Sequence, residues 1–311
     1  MEIIKKYIDE ISKLSEEITI ESSYIRVEYR DAVFKQIKDL LDSMYKEIKE
    51  SRIVKDGKNS VYIYNLMCLA DLLDEICFTK TKKRPKSKNN EWKNAALDRL
   101  NIMFIKTLQE ITYLLEGGFS NAALSRVRSI YEISVYYKII QSNNNDIAER
   151  FLKHSNFQRI KLAKALGDKE LVNKVKNDIK CFNYEKNFIK DNQWANPLLN
   201  NERITFKDLA KLTDLYEHYD LYVFASSSVH ASVYNSANGF DIPKNIRGQK
   251  YWNTGSLKFG INIVYSCFVT IVGEFITELC DENYLQSIFV KMFISKMADV
   301  NTDTDIWEDI D

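Results

Sequence analysis

Apolar residues recur at intervals of three and four along most of the chain, with charged residues between them, a pattern that predicts helices. Ile4, Ile8, Ile11, Leu14 and Ile18 define one apolar stripe, and Val33, Ile37, Leu40, Leu41, Met44 and Ile48 a second. Both read as amphipathic helices whose stripes need a partner surface. After a turn at KDGKN, 55–59, the stretch from Tyr62 to Phe78 reads as a strongly apolar helix. Leu97, Leu100, Phe104, Leu108, Ile111 and Leu115 make a long helix that stops at Gly117-Gly118. Ser120 or Asn121 caps the next one, NAALSRVRSIYEISVYYKII, with Ala123, Val127, Tyr131 and Ser134 on its buried side. A polar loop, QSNNND at 141–146, precedes a helix from Ile147 to Leu166, and a lysine-rich helix over 169–182 follows. A less regular region then holds Trp194 ahead of a turn at Asn196-Pro197. Thr205 caps a short helix with Asp208 at its third position, a near capping box. Leu257, Ile261, Val264, Phe268, Ile271, Phe275 and Leu279 predict a last apolar helix at the centre of the bundle or of a dimer interface. The loop before it carries Arg247, Tyr251 and Trp252, which could close over a site.

One stretch departs from this pattern. In YEHYDLYVFASSSVHASVY, 216–234, a helical reading puts Tyr216, Tyr219, Val223, Ser226, Ser227, His230 and Tyr234 on one face. Hydroxyls and an imidazole thus occupy positions where a helix usually carries its core. Such a stripe is either a hydrogen-bonded polar seam or one wall of a reactive site.

Composition strengthens the helical reading. Only three prolines and nine glycines occur in 311 residues, too few to punctuate strands and hairpins, and the apolar fraction of 45% is that of a globular protein. The fold class expected is all-α, a multi-helix bundle with an N-terminal helical extension. Formal net charge is zero, so nucleic-acid or membrane binding must come from a local patch. The basic run TKTKKRPKSKNN, 79–90, divides an N-terminal helical region, 1–78, from a helical domain, 91–291; an acidic tail, 292–311, follows. The run reads as a solvated linker, or as an arm on RNA or DNA phosphates, although only Trp92 stands near it for base stacking. The tail, DVNTDTDIWEDID at its end, is solvated, folds onto the basic linker, or docks a partner through Ile306 and Trp307.

The five cysteines, at 68, 77, 181, 267 and 280, are scattered without a C-x-x-C pair, and read as buried thiols of a reducing compartment. With three histidines in the whole chain, neither a structural metal site nor a cofactor is expected. The N-terminal segment lacks a signal-peptide core. The run Phe259 to Gly273 is too short to span a bilayer, so the expectation is a cytoplasmic protein without a membrane segment.

Two further charged positions matter. Arg128 and Glu132 are four apart and share one border of their helix, whereas Arg126 lies about 200° away from Arg128, so the two arginines do not serve one site. Arg128 with Glu132 is an ion pair at the edge of the core, or a fixed cation for a phosphate or oxyanion oriented by its carboxylate. His154, flanked by Lys153 and Ser155, reads as a surface or boundary residue.

The pieces RSIYE at 128–132, the tryptophan turn at 192–197, ITFKDLAKLTDLYEHYDLYVFASSSVHAS at 204–232 and the apolar helix after it resemble the DUF5677 family of all-helical proteins, over roughly 95–282. Some members look like genes of prokaryotic defence neighbourhoods. The helical layout is similar to that of HEPN domains, many of which are metal-independent ribonucleases, so the resemblance implies a HEPN-like core. HEPN nucleases place an arginine, a polar residue and then a histidine along one helix. Here His230 and Ser226 or Ser227 are present, but Val223, Phe224 and Ala225 contain no arginine. Arg128 replaces it only if the fold brings the two helices together. The expectation is an anti-phage defence effector, a ribonuclease with His230 as acid/base, Arg128 as phosphate cation and Glu132 as its anchor. Tyr131, Tyr219, Ser226 and Ser227 would bind or orient. The partners expected are RNA or a nucleotide, and a second copy or another protein of the defence system. The alternative is a non-catalytic module that senses a nucleotide or other ligand, or binds protein.

Overall fold

The computed structural model describes residues 90–116, 119–180 and 186–227, together with helical positions at 6–7, 10, 35–44, 46–47, 66–67, 70–71 and 73–74. Helix accounts for 87% of the described residues and no strand occurs among them, which makes this an all-α, multi-helix fold. The cysteines, the loop at 238–255, the apolar helix expected near 255–280 and the acidic tail lie outside the described residues, as does the basic run except Asn90.

The main helices are α1 (Glu91–Glu116), α2 (Ser120–Ser142), α3 (Asn145–Ala165) and α4 (Lys169–Lys180). Three shorter ones follow: α5 (Asn196–Leu199), α6 (Phe206–Ala210) and α7 (Tyr219–Ser227). The predicted stripes are inward. Leu97, Leu100, Phe104, Leu108, Ile111 and Leu115 of α1 are all buried, as are Ala123, Val127, Tyr131 and Ser134 of α2. The six-residue polar loop expected after α2 shrinks to Asn143 and Asn144. Asn144 is extended and its side chain accepts the Ile147 amide at 3.3 Å, so the cap itself starts α3 early. Likewise Thr205 and Asp208 complete a reciprocal capping box at the start of α6. The Thr205 hydroxyl and amide hold the Asp208 carboxyl below its ordinary 3.8.

Contacts divide the chain into two compact units, each assembled from separate segments. One comprises Met1–Lys82, Phe104–Tyr131 and Leu221–Asp311; the other Lys83–Met103 and Glu132–Asp220. In the first, Ile37, Leu41 and Met44 of the second predicted stripe are buried, as are Leu66, Ala70 and Leu73. There too Tyr7 and Lys6 both donate to the Glu47 carboxylate, at 3.1 and 3.0 Å.

The second unit is built on α3, which packs against α4 and against the irregular segment around 186–195. Tyr136, Phe151, Trp194 and Phe206 form an aromatic cluster with ring centroids 5.0–5.9 Å apart, mostly edge to face. Arg150 is 7% exposed and donates to the carbonyls of Trp194 and Gln193 at 3.0 and 3.2 Å, with Phe188 under its guanidinium. Gln193, also buried, donates onward to the carbonyls of Asn201 and Glu202. The segment therefore lacks regular structure but not hydrogen bonds. His154 corrects the sequence expectation: it is 8% exposed, between the rings of Phe157 and Phe188, with Nε2 2.9 Å from the Lys190 carbonyl. At the other end of α1, the Lys93 ammonium donates to the Asn143 carbonyl and burial lowers its pKa.

Candidate functional site

The pattern of α2 buries Val127, Ile130 and Tyr131 and leaves Arg128 half-buried at the edge of that face. Tyr131 stacks on Tyr222 of α7, centroids 5.1 Å apart and planes 29° from parallel. Arg128, one turn before Tyr131, reaches the same ring: its Nε donates to the Tyr222 hydroxyl at 3.5 Å and its guanidinium carbon lies 5.7 Å from the ring centroid. The hydrogen bond is long and the cation–π contact near its outer limit, so Tyr222 holds the guanidinium only loosely. The fold thus brings α2 and α7 together through Arg128, Tyr131 and Tyr222. Tyr222 was missed in the sequence because it lies off the polar stripe. The signal for it was its register with the buried Ala225, three residues on.

The stripe itself is distributed differently from its helical reading. Asp214–His218 is a 3₁₀ turn, and α7 begins only at Tyr219. Tyr222 and Ala225 form the buried side of α7, whereas Tyr216 is 37% and Val223 53% exposed, and Tyr219 and Ser226 are half-buried. The described polar positions, Tyr216, Tyr219 and Ser226, are therefore exposed or half-buried rather than in the core. The Ser226 hydroxyl donates back to the Tyr222 carbonyl at 2.8 Å, which occupies its proton within the helix. Tyr131, by contrast, is fully buried. The side chain of Ser227, and His230 and Tyr234 entirely, lie outside the described residues.

Glu132 sits half-buried on α2 one turn beyond Arg128. Arg126 points elsewhere, pairing with Glu110 of α1, which keeps the two arginines apart as their angular separation requires. Among the described residues no three or more His, Cys, Asp or Glu side chains are grouped to hold a metal ion. No helix among them is long and apolar enough to cross a membrane.

These features define an all-α protein whose candidate site rests on two helices distant in sequence. Residues 94–241 match the model of DUF5677, a family of unknown function. The match begins where the sequence resemblance begins, takes in most of α1 and all of α2 to α7, and ends before the 282 reached by the resemblance. No curated protein and no solved structure matches the chain.

Proposed function

We propose that this protein is a metal-independent endoribonuclease with a HEPN-like core, acting as an effector of anti-phage defence. The observation that carries this reading is the placement of Arg128 against Tyr222. The HEPN pattern asks for an arginine upstream of the histidine on one helix, and α7 has none. An arginine delivered from α2 to Tyr222, eight residues before His230, supplies that cation by another route. His230 takes the proton of the RNA 2′-hydroxyl as it attacks phosphorus, and returns a proton to the departing 5′-oxygen. The products are a 2′,3′-cyclic phosphate and a 5′-hydroxyl. Arg128 offsets the charge that develops on the phosphoryl oxygens, and Glu132 on the next turn orients it. Ser226, Ser227 and Tyr219 supply hydrogen bonds to the strand, and a second copy of the chain completes the site.

The test is cleavage of single-stranded RNA in the presence of EDTA, with growth arrest on expression as the cellular readout. His230→Ala is expected to lower cleavage about 10²–10⁴-fold, and Arg128→Ala about 10²–10³-fold, with the helical circular dichroism unchanged. Both variants cleaving like wild type would sink the proposal. A half-buried cation also suits a nucleotide phosphate held without turnover. That second reading is the one left standing if nucleotide binding depends on Arg128 and no RNA is cut.

A further inference from the structure

A second cluster of aromatic and cationic side chains lies on residues 207–219. The capping box at Thr205 fixes the start of α6, so Lys207 and Lys211, one turn apart, are presented on the same side. Leu209, Ala210, Thr213 and Leu215 take the buried positions, and Lys207 and Lys211 are exposed. The rings of Tyr216 and Tyr219 lie 5.6 Å apart and tilted by 31°. The Lys211 ammonium stands 6.0 Å from the Tyr216 centroid and that of Lys207 5.7 Å from Tyr219. At that range the rings hold the ammonium groups only weakly, so both can turn to an anion. Both lysines help to hold the Asp208 carboxyl below its ordinary value, without a direct ion pair among the described residues. The nearby carboxylate of Asp208 is bound by the Thr205 amide and hydroxyl at 2.9 and 2.7 Å.

We infer that Tyr216, Tyr219, Lys207 and Lys211 form a platform for single-stranded RNA, with bases stacking on the tyrosines and phosphates meeting the lysines. An exposed ring and a half-buried one beside cations are what a flexible strand needs, since every base has a face to stack whatever its sequence. Charge argues against a duplex: exposed Glu217 and Asp220 flank the cluster, so it lacks the surplus of cations that a double-stranded phosphate backbone requires. The inference rests on the ribonuclease reading for its choice of RNA, and adds to it a strand-holding surface built from residues 207–219.

The experiment is fluorescence anisotropy with the full chain, using a labelled RNA of about 16 nucleotides, single-stranded or annealed to its complement. Tyr216→Ala/Tyr219→Ala is expected to raise the Kd for the single strand about tenfold or more, and Tyr216→Phe to keep it within about twofold, since its stacking face remains. Lys207→Gln/Lys211→Gln is expected to weaken binding and to flatten its dependence on salt. Unchanged binding by the alanine pair in a variant that melts like wild type overturns the platform. So does equal affinity for the duplex, or wild-type protein that binds no RNA. The two proposals fail separately. Cleavage that needs Arg128 while the alanine pair binds normally removes the platform alone; stacking-dependent binding without cleavage removes the nuclease alone.

Discussion

The inward face of α3 carries Arg150 and His154 one turn apart, and each is covered by groups far along the chain. Burial is the main cause that lowers the His154 pKa from its ordinary 6.5. The Lys190 carbonyl and Asp191 oppose the shift, and Lys161 and Arg150 reinforce it. A histidine with a depressed pKa is neutral in the folded protein and takes a proton more readily when unfolded. Its contribution is therefore present above 6.5 and lost as the pH falls below it toward the folded-state value. Urea titrations from pH 8 to pH 5 are expected to show stability falling with pH, and His154→Gln to flatten that slope. An identical slope in the variant would refute the assignment. None of this was legible locally. His154 has only Lys153 and Ser155 as neighbours in sequence, and the carbonyl that holds it is 36 residues away. Arg128 shows the same limit: its place at the border of α2 followed from the wheel, but Tyr222, 94 residues on, could come only from the fold.

At the level of elements, helix starts and stops follow local chemistry closely, which is why α1 to α4 were readable. The α3–α4 turn is the clearest case. Gly167 has φ of 70°, its amide bonds the Lys164 carbonyl at 3.1 Å, and the Asp168 amide bonds the Ala163 carbonyl at 2.9 Å. This is the paired closure of a helix C-terminus, and it requires a left-handed residue. A Cβ added at Gly167 meets nothing within 4 Å, so the cost of Gly167→Ala is conformational alone. Chemical denaturation is expected to show a loss of about 1 kcal/mol, and an unchanged midpoint would contradict the turn geometry. The stretch 216–234 was harder because tyrosines fall on both sides of it. Periodicity found a polar face but could not say that Tyr222 and Ala225 are the side that packs, or that a 3₁₀ turn precedes Tyr219.

For the whole molecule, the all-α class was legible because scarce proline and glycine and three-four spacing act everywhere along the chain. Assembly from distant segments was not, since no local pattern encodes it. The unit that holds Arg128 and Tyr222 draws on residues 1–82 and 221–311 as well as 104–131. A fragment cut to the family match, 94–241, discards most of that unit and the cover supplied by Ile37, Met44 and Leu73. Expressed alone, it is expected to lose a single cooperative thermal transition and the near-ultraviolet signal of its packed tyrosines. A sharp, full-length-like melt would show that the fragment carries its own core. The grip of Arg150 on Gln193 and Trp194 bears on the order in which the other unit forms. Helix α3 can wind early, but a guanidinium gives up its water only when those two carbonyls arrive, because a buried cation without partners is strongly unfavourable. Drying of the α3 face and docking of the 193–194 segment are thus one event, a checkpoint that a loosely collapsed chain cannot pass.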